Sequence, residues 1–72
     1  MLKVTFHAGE RFLQRVFKYS SYTKNQVFDA MKLISKDIKN IHFTRNRFVL
    51  PSFPEFLCIT QNNKVVTIIP KA

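Results

Sequence analysis

The hydrophobic period of this chain changes near Asn40, and that change limits the possible folds more than any other feature. Before it, Val27, Ala30, Met31, Ile34 and Ile38 recur at the spacing of one helix face. After it, Ile41-His42-Phe43-Thr44 and Arg47-Phe48-Val49-Leu50 alternate as strands do, with Arg45-Asn46 at a turn between them. Helices first and strands afterwards imply an α+β domain. The expected architecture is two N-terminal helices packed on one face of a three- to four-stranded antiparallel sheet.

Local signals fill in the elements. Leu2 to Phe6 alternates weakly and reads as an optional first strand or an extended lead-in. His7 to about Phe17 reads as a first helix, broken at Lys18-Tyr19-Ser20-Ser21. Thr23-Lys24-Asn25-Gln26 has the spacing of a capping box, with Tyr22 and Val27 placed for a hydrophobic staple, so a second helix is expected over about 24–37. Pro51-Ser52-Phe53-Pro54 reads as a loop, because a proline cannot donate to a ladder. Phe56 to Thr60 and Val65 to Ile69 read as strands joined by a tight turn at Gln61-Asn62-Asn63-Lys64, where asparagine tolerates positive φ.

At 72 residues the chain is expected to form one domain, residues 1–72, with a single modest core. Hydrophobic residues make up 46% of it, enough for a packed fold, and eight Phe with no Trp make phenylalanine the main filler. Cys58, the lone cysteine, lies in an apolar run and reads as a core residue, so no internal disulfide is possible. There is no signal peptide and no apolar run of membrane-spanning length, which fits a cytoplasmic protein away from membranes.

Twelve Lys and Arg against four acids give a net charge of +8, spread along the chain rather than collected in a tail. Such a surface attracts nucleic acid or an acidic protein. Lys3, Lys18, Arg45, Arg47 and Lys64 are the expected contacts to a nucleic-acid backbone, and Tyr19, Tyr22 and Phe53 are candidates for stacking on bases. No metal-ligand spacing and no glycine-rich phosphate loop is present, so no metal or other cofactor is expected.

Within the first helix, His7, Arg11 and Arg15 fall at i, i+4 and i+8, beside an apolar stripe of Ala8, Phe12 and Val16. A proton shuttle next to two guanidiniums suits chemistry on phosphate esters. His7 is either that shuttle or a helix cap. Arg11 and Arg15 either hold phosphate or pair with Glu10, Glu55 or water. Thr67 interrupts an apolar strand, either as an outward β-former or as a hydroxyl beside the His7 helix. His42 alternates with Ile41 and Phe43 and is a weaker candidate.

The opening His7-Ala8-Gly9-Glu10-Arg11-Phe12-Leu13-Gln14-Arg15 and the close Val65-Val66-Thr67-Ile68-Ile69-Pro70 together resemble small bacterial and phage domains of the RelE, barnase, EndoU and colicin D/E5 nuclease fold group. Those domains often begin with a His-Ala-x-x-Arg-x-x-x-Arg helix and end on a Val-Thr-Val-Tyr-like strand. The resemblance implies a RelE/barnase-like fold and metal-independent RNA cleavage by 2′-OH transesterification. It implies a toxin neutralised by a cognate antitoxin or immunity protein. His7, Arg11, Arg15 and Thr67 match the site positions, although relatives often turn at a glycine where this chain has Val16-Phe17-Lys18-Tyr19. Two other readings are a non-catalytic basic nucleic-acid-binding module and a phage or plasmid interaction protein that docks on an acidic host protein.

Overall fold

The computed structural model describes residues 2–39, 41 and 46–71. The described elements run β1 (Lys3–Val4), α1 (Phe6–Arg15), α2 (Lys24–Asp37), β2 (Arg47–Leu50), β3 (Phe53–Gln61) and β4 (Lys64–Pro70). The domain is α+β, with helices before the main strands as the change of period requires. The expected strand over 41–44 lies outside the described residues apart from Ile41, which packs against the core.

Each helix starts where its sequence supplies an oxygen for the free N–H groups. Thr5 caps α1: its Oγ1 accepts from the Ala8 N–H at 3.1 Å and donates to the Val65 carbonyl at 2.9 Å. His7 is therefore not the cap. Thr23 opens α2 with both halves of the capping box formed, Gln26 N–H to Thr23 Oγ1 at 3.2 Å and Thr23 N–H to Gln26 Oε1 at 2.8 Å. At its other end α1 stops as Lys18 enters the left-handed region at φ 59°, and the Tyr19 N–H closes onto the Leu13 carbonyl at 3.0 Å.

The strand order is β1-β4-β3-β2. β3 pairs antiparallel with both β2 and β4, but β1 runs parallel to β4, so the sheet is mixed and not the antiparallel one expected. The cause is the route of the N-terminal segment. Lys3 N–H bonds the Asn63 carbonyl and Thr5 N–H the Val65 carbonyl, each at 3.1 Å, so the lead-in travels with β4 before turning into α1. The β3–β4 hairpin closes on Asn62 and Asn63 at φ 54° and 62°, the two positive values that a two-residue hairpin loop of this twist demands.

β3 begins at Phe53 and includes Pro54, which the prolines of 51–54 argued against. Pro54 is tolerated because its partners run out there. The β4 register ends at Phe56 opposite Pro70, and β2 reaches past it only through Leu50 opposite Phe53, after a register shift. The turn before it is held by Ser52, whose N–H and hydroxyl both donate to the Asp37 carboxylate at the end of α2.

The core lies between the helices and one sheet face. Phe12, Leu13 and Ala8 of α1 meet Val27, Ala30, Ile34 and Ile38 over Leu50, Cys58, Val65 and Ile68. Phe12 is fully enclosed and receives the ring edges of Phe17 and Phe53 at centroid distances of 5.1 and 5.3 Å. Gly9 sits where the helices touch, since a Cβ there would stand 2.9 Å from the Val27 carbonyl oxygen.

Candidate functional site

Helix α1 carries the polar cluster that the His/Arg spacing points to. One helical turn brings Arg11 Nε to His7 Nε2 at 3.2 Å, with the guanidinium donating. Nε2 is therefore an acceptor, and the ring proton belongs on Nδ1, which faces Glu10 Oε1 at 3.9 Å. Arg11 also donates through Nη1 to Gln14 Oε1 at 2.8 Å. Gln14 donates to the Tyr22 hydroxyl at 2.7 Å, and that hydroxyl donates to Glu10 Oε2 at 3.0 Å. The five side chains close a ring that orients His7 and Arg11, while His7 itself stays half exposed to solvent.

Glu10, Gln14 and Tyr22 are the partners that sequence reading did not assign. The i+3 spacing of Glu10 from His7 and of Gln14 from Arg11 was visible, but Tyr22 enters from the next segment. Tyr22 is half buried against the core with its hydroxyl engaged, so it is not a free stacking ring. Phe53 is likewise packed on Phe12 and Phe17. Tyr19 remains exposed.

Arg15 leaves this ring. Its Nη1 donates to the Ile68 carbonyl at 2.6 Å. β1 pairs with β4 only at Lys64 and Val65, so the outer edge of β4 beyond them has no strand neighbour among the described residues, and Arg15 covers part of it. Neither arginine pairs with Glu10 or Glu55. α1 thus runs from the start of β4, where Thr5 meets Val65, to its end. His7 and Arg15 are about 12 Å apart along the helix axis at 1.5 Å per residue.

Thr67 is not brought to His7. It stands opposite Ile59, next to the fully buried pair Cys58 and Ile68. Alternation turns Thr67 to the face away from the helices. Arg47, Ile59 and Thr67 form one cross-strand row on that open face, and Val49, Leu57 and Ile69 form the next. Lys3 and Lys64 are exposed and opposite each other, beside the inward pair Val4 and Val65, so they flank the same open face. Lys18 lies at the C-terminal end of α1. Arg45 and His42 lie outside the described residues.

Cys58 is fully enclosed, and burial first, with the Asp37 charge second, pushes its thiol up to about 12. A thiol so placed stays protonated and is no nucleophile near neutral pH. Among the described residues no three His, Cys, Asp or Glu side chains gather, and no helix is long and apolar enough to cross a membrane. No protein-family model, curated protein or solved structure matches this chain.

Proposed function

We propose that this chain binds single-stranded RNA along the solvent edge of α1 and cleaves it there without a metal, as a cytoplasmic toxin-like ribonuclease. The observation that supports this reading is the 3.2 Å contact from Arg11 Nε to His7 Nε2, on a chain of charge +8. A neutral imidazole is held with its lone pair on a guanidinium N–H. An incoming phosphate oxygen competes for that N–H and frees Nε2 to accept the 2′-OH proton. The 2′-oxygen attacks phosphorus, the bond to the 5′-oxygen breaks, and water protonates the leaving oxygen. Arg11 then offsets the charge that builds on the phosphoryl oxygens. The product ends are a 2′,3′-cyclic phosphate and a 5′-hydroxyl.

The test is incubation of total RNA with the protein and with His7→Ala in EDTA, followed by analysis of fragment ends. The expected result is cyclic-phosphate ends from the parent and a rate lower by about 10²-fold or more in the variant, the usual range for a lost general base. Equal cleavage by both, or none by the parent, refutes the catalytic assignment. Salt-sensitive RNA retention without cleavage leaves the non-catalytic RNA-binding module.

The open sheet face supports a second role, in partner binding. Val49, Leu57, Ile59 and Ile69 form an apolar floor, with Arg47, Lys3 and Lys64 beside it. That combination suits an acidic amphipathic segment, as an antitoxin, immunity protein or acidic host protein would offer. Charge reversal at Arg47 and Lys64 should abolish such a complex and leave RNA cleavage at α1 intact.

A further inference from the structure

A second group of cations stands at the far end of α1. Arg15, Lys18 and Lys71 line an open cleft of about 570 Å³ with Pro54, Glu55, Phe56 and Pro70. That volume lies within the usual range of small-molecule sites, about 300–1,000 Å³. The cleft forms where the end of α1 passes the start of β3 and the end of β4, and the Lys71 N–H to Glu55 carbonyl bond at 2.8 Å ties its two strands together. Arg15 is fixed by its bond to the Ile68 carbonyl. None of the three cations is in ion-pair contact with a carboxylate among the described residues, although Glu55 lines the same wall. Three positive groups and one negative group therefore surround a floor of proline and phenylalanine carbon.

Lys18 adds a second observation. It holds φ 59° at the helix end, a conformation glycine adopts at less cost, and it stands between two exposed rings, Phe17 and Tyr19. Those rings are 5.8 Å apart and line the neighbouring cleft with Leu13, Gln26 and Asp29. The chain thus keeps a cation at a strained position that joins a basic cleft to an aromatic surface.

We infer that this cleft binds the phosphate of a nucleotide, with Arg15, Lys18 and Lys71 on the phosphoryl oxygens and the Tyr19–Phe17 surface against the base. As a subsite for RNA on α1 it rests on the RNA reading above, but it does not depend on cleavage at His7. Its cations lie two helical turns or more from the His7–Arg11 ring, so the two ends of α1 engage different nucleotides of one strand.

The experiment is an amide NMR titration of the whole chain with uridine 5′-monophosphate, which has no bond for the ribonuclease to cut. Inorganic phosphate is run in parallel. The expected result is a set of shifts confined to the amides of residues 15–19, 55–56 and 71, with the nucleotide binding more tightly than phosphate. Lys18→Asn with Lys71→Ser removes two charges, and asparagine accepts the left-handed φ. This double variant should keep the parent's dispersed spectrum, weaken nucleotide binding at least tenfold, and lower the salt slope for an RNA oligomer by roughly 1.4, two phosphate contacts at about 0.7 each for a single strand. Tyr19→Ala should bring nucleotide and phosphate affinities together. Shifts centred on His7 and Lys3, unchanged affinity in the double variant, or equal parental affinity for phosphate and nucleotide would overturn the assignment. Nucleotide binding at the cleft without RNA cleavage would refute the ribonuclease and uphold the cleft; His7-dependent cleavage with a silent cleft would do the reverse.

Discussion

Replacing Gly9 by alanine sets two effects of opposite sign against each other. In a helix interior the change gains about 1 kcal/mol, because alanine loses less backbone entropy than glycine. Against that, the new Cβ would lie 2.8 Å from Met31 Cγ, 2.9 Å from the Val27 carbonyl oxygen and 3.0 Å from Val27 Cγ1. Met31 is unbranched and only half buried, so its side chain can swing aside. The Val27 carbonyl cannot, because it belongs to the backbone of α2 and Val27 is 1% exposed. Relief requires α2 to move off α1, and overpacking of this kind costs about 1–3 kcal/mol. With backbone as the immovable contact the upper end applies, and the net expectation is a loss of about 2 kcal/mol after the propensity gain of about 1. For a domain of this size that lowers Tm by about 8–16 °C. Urea unfolding followed by far-UV circular dichroism should show a lower midpoint at an unchanged slope. A variant as stable as the parent, or more stable, would mean that the helices are not in the close contact described.

Cys58 should make stability fall at alkaline pH. Its folded value of about 12 lies above the ordinary 9.0, so between these values the unfolded chain loses a proton that the folded chain keeps. The thiol has no effect below 9.0 and costs about 1.4 kcal/mol per pH unit above it. Tm measured against pH for the parent and for Cys58→Ala checks this; parallel curves above pH 9 would refute it. Lys18→Gly should stabilise the fold by about 0.5–1 kcal/mol, the left-handed strain relieved less the greater freedom of glycine in the unfolded chain. The same substitution should weaken nucleotide binding at the cleft, and thermal melts beside the NMR titration read both effects. A loss of stability would mean that the Lys18 backbone is not strained.

What the sequence by itself determined is what near neighbours decide. The change of period set helices before strands, Thr23 and Gln26 fixed the start of α2 through bonds spanning three residues, and Asn62-Asn63 fixed the hairpin. The histidine–arginine contact also belongs here, because it spans one helical turn. The tertiary structure decided the rest. The parallel β1 depends on a partner about sixty residues away, and Gly9 acquires its purpose only when α2 lies against it. Thr67 shows the reason most directly. Strict alternation from the buried Val65 would point Thr67 inward, towards the helix that carries His7. Val65 and Ile68 are both fully buried, three residues apart, because the register slips at Val66 and leaves one residue of β4 without a partner on β3. A single extra residue reverses the face of everything beyond it. That slip separates the hydroxyl from the histidine, and it is fixed by packing across the whole sheet rather than by any residue near it in the chain.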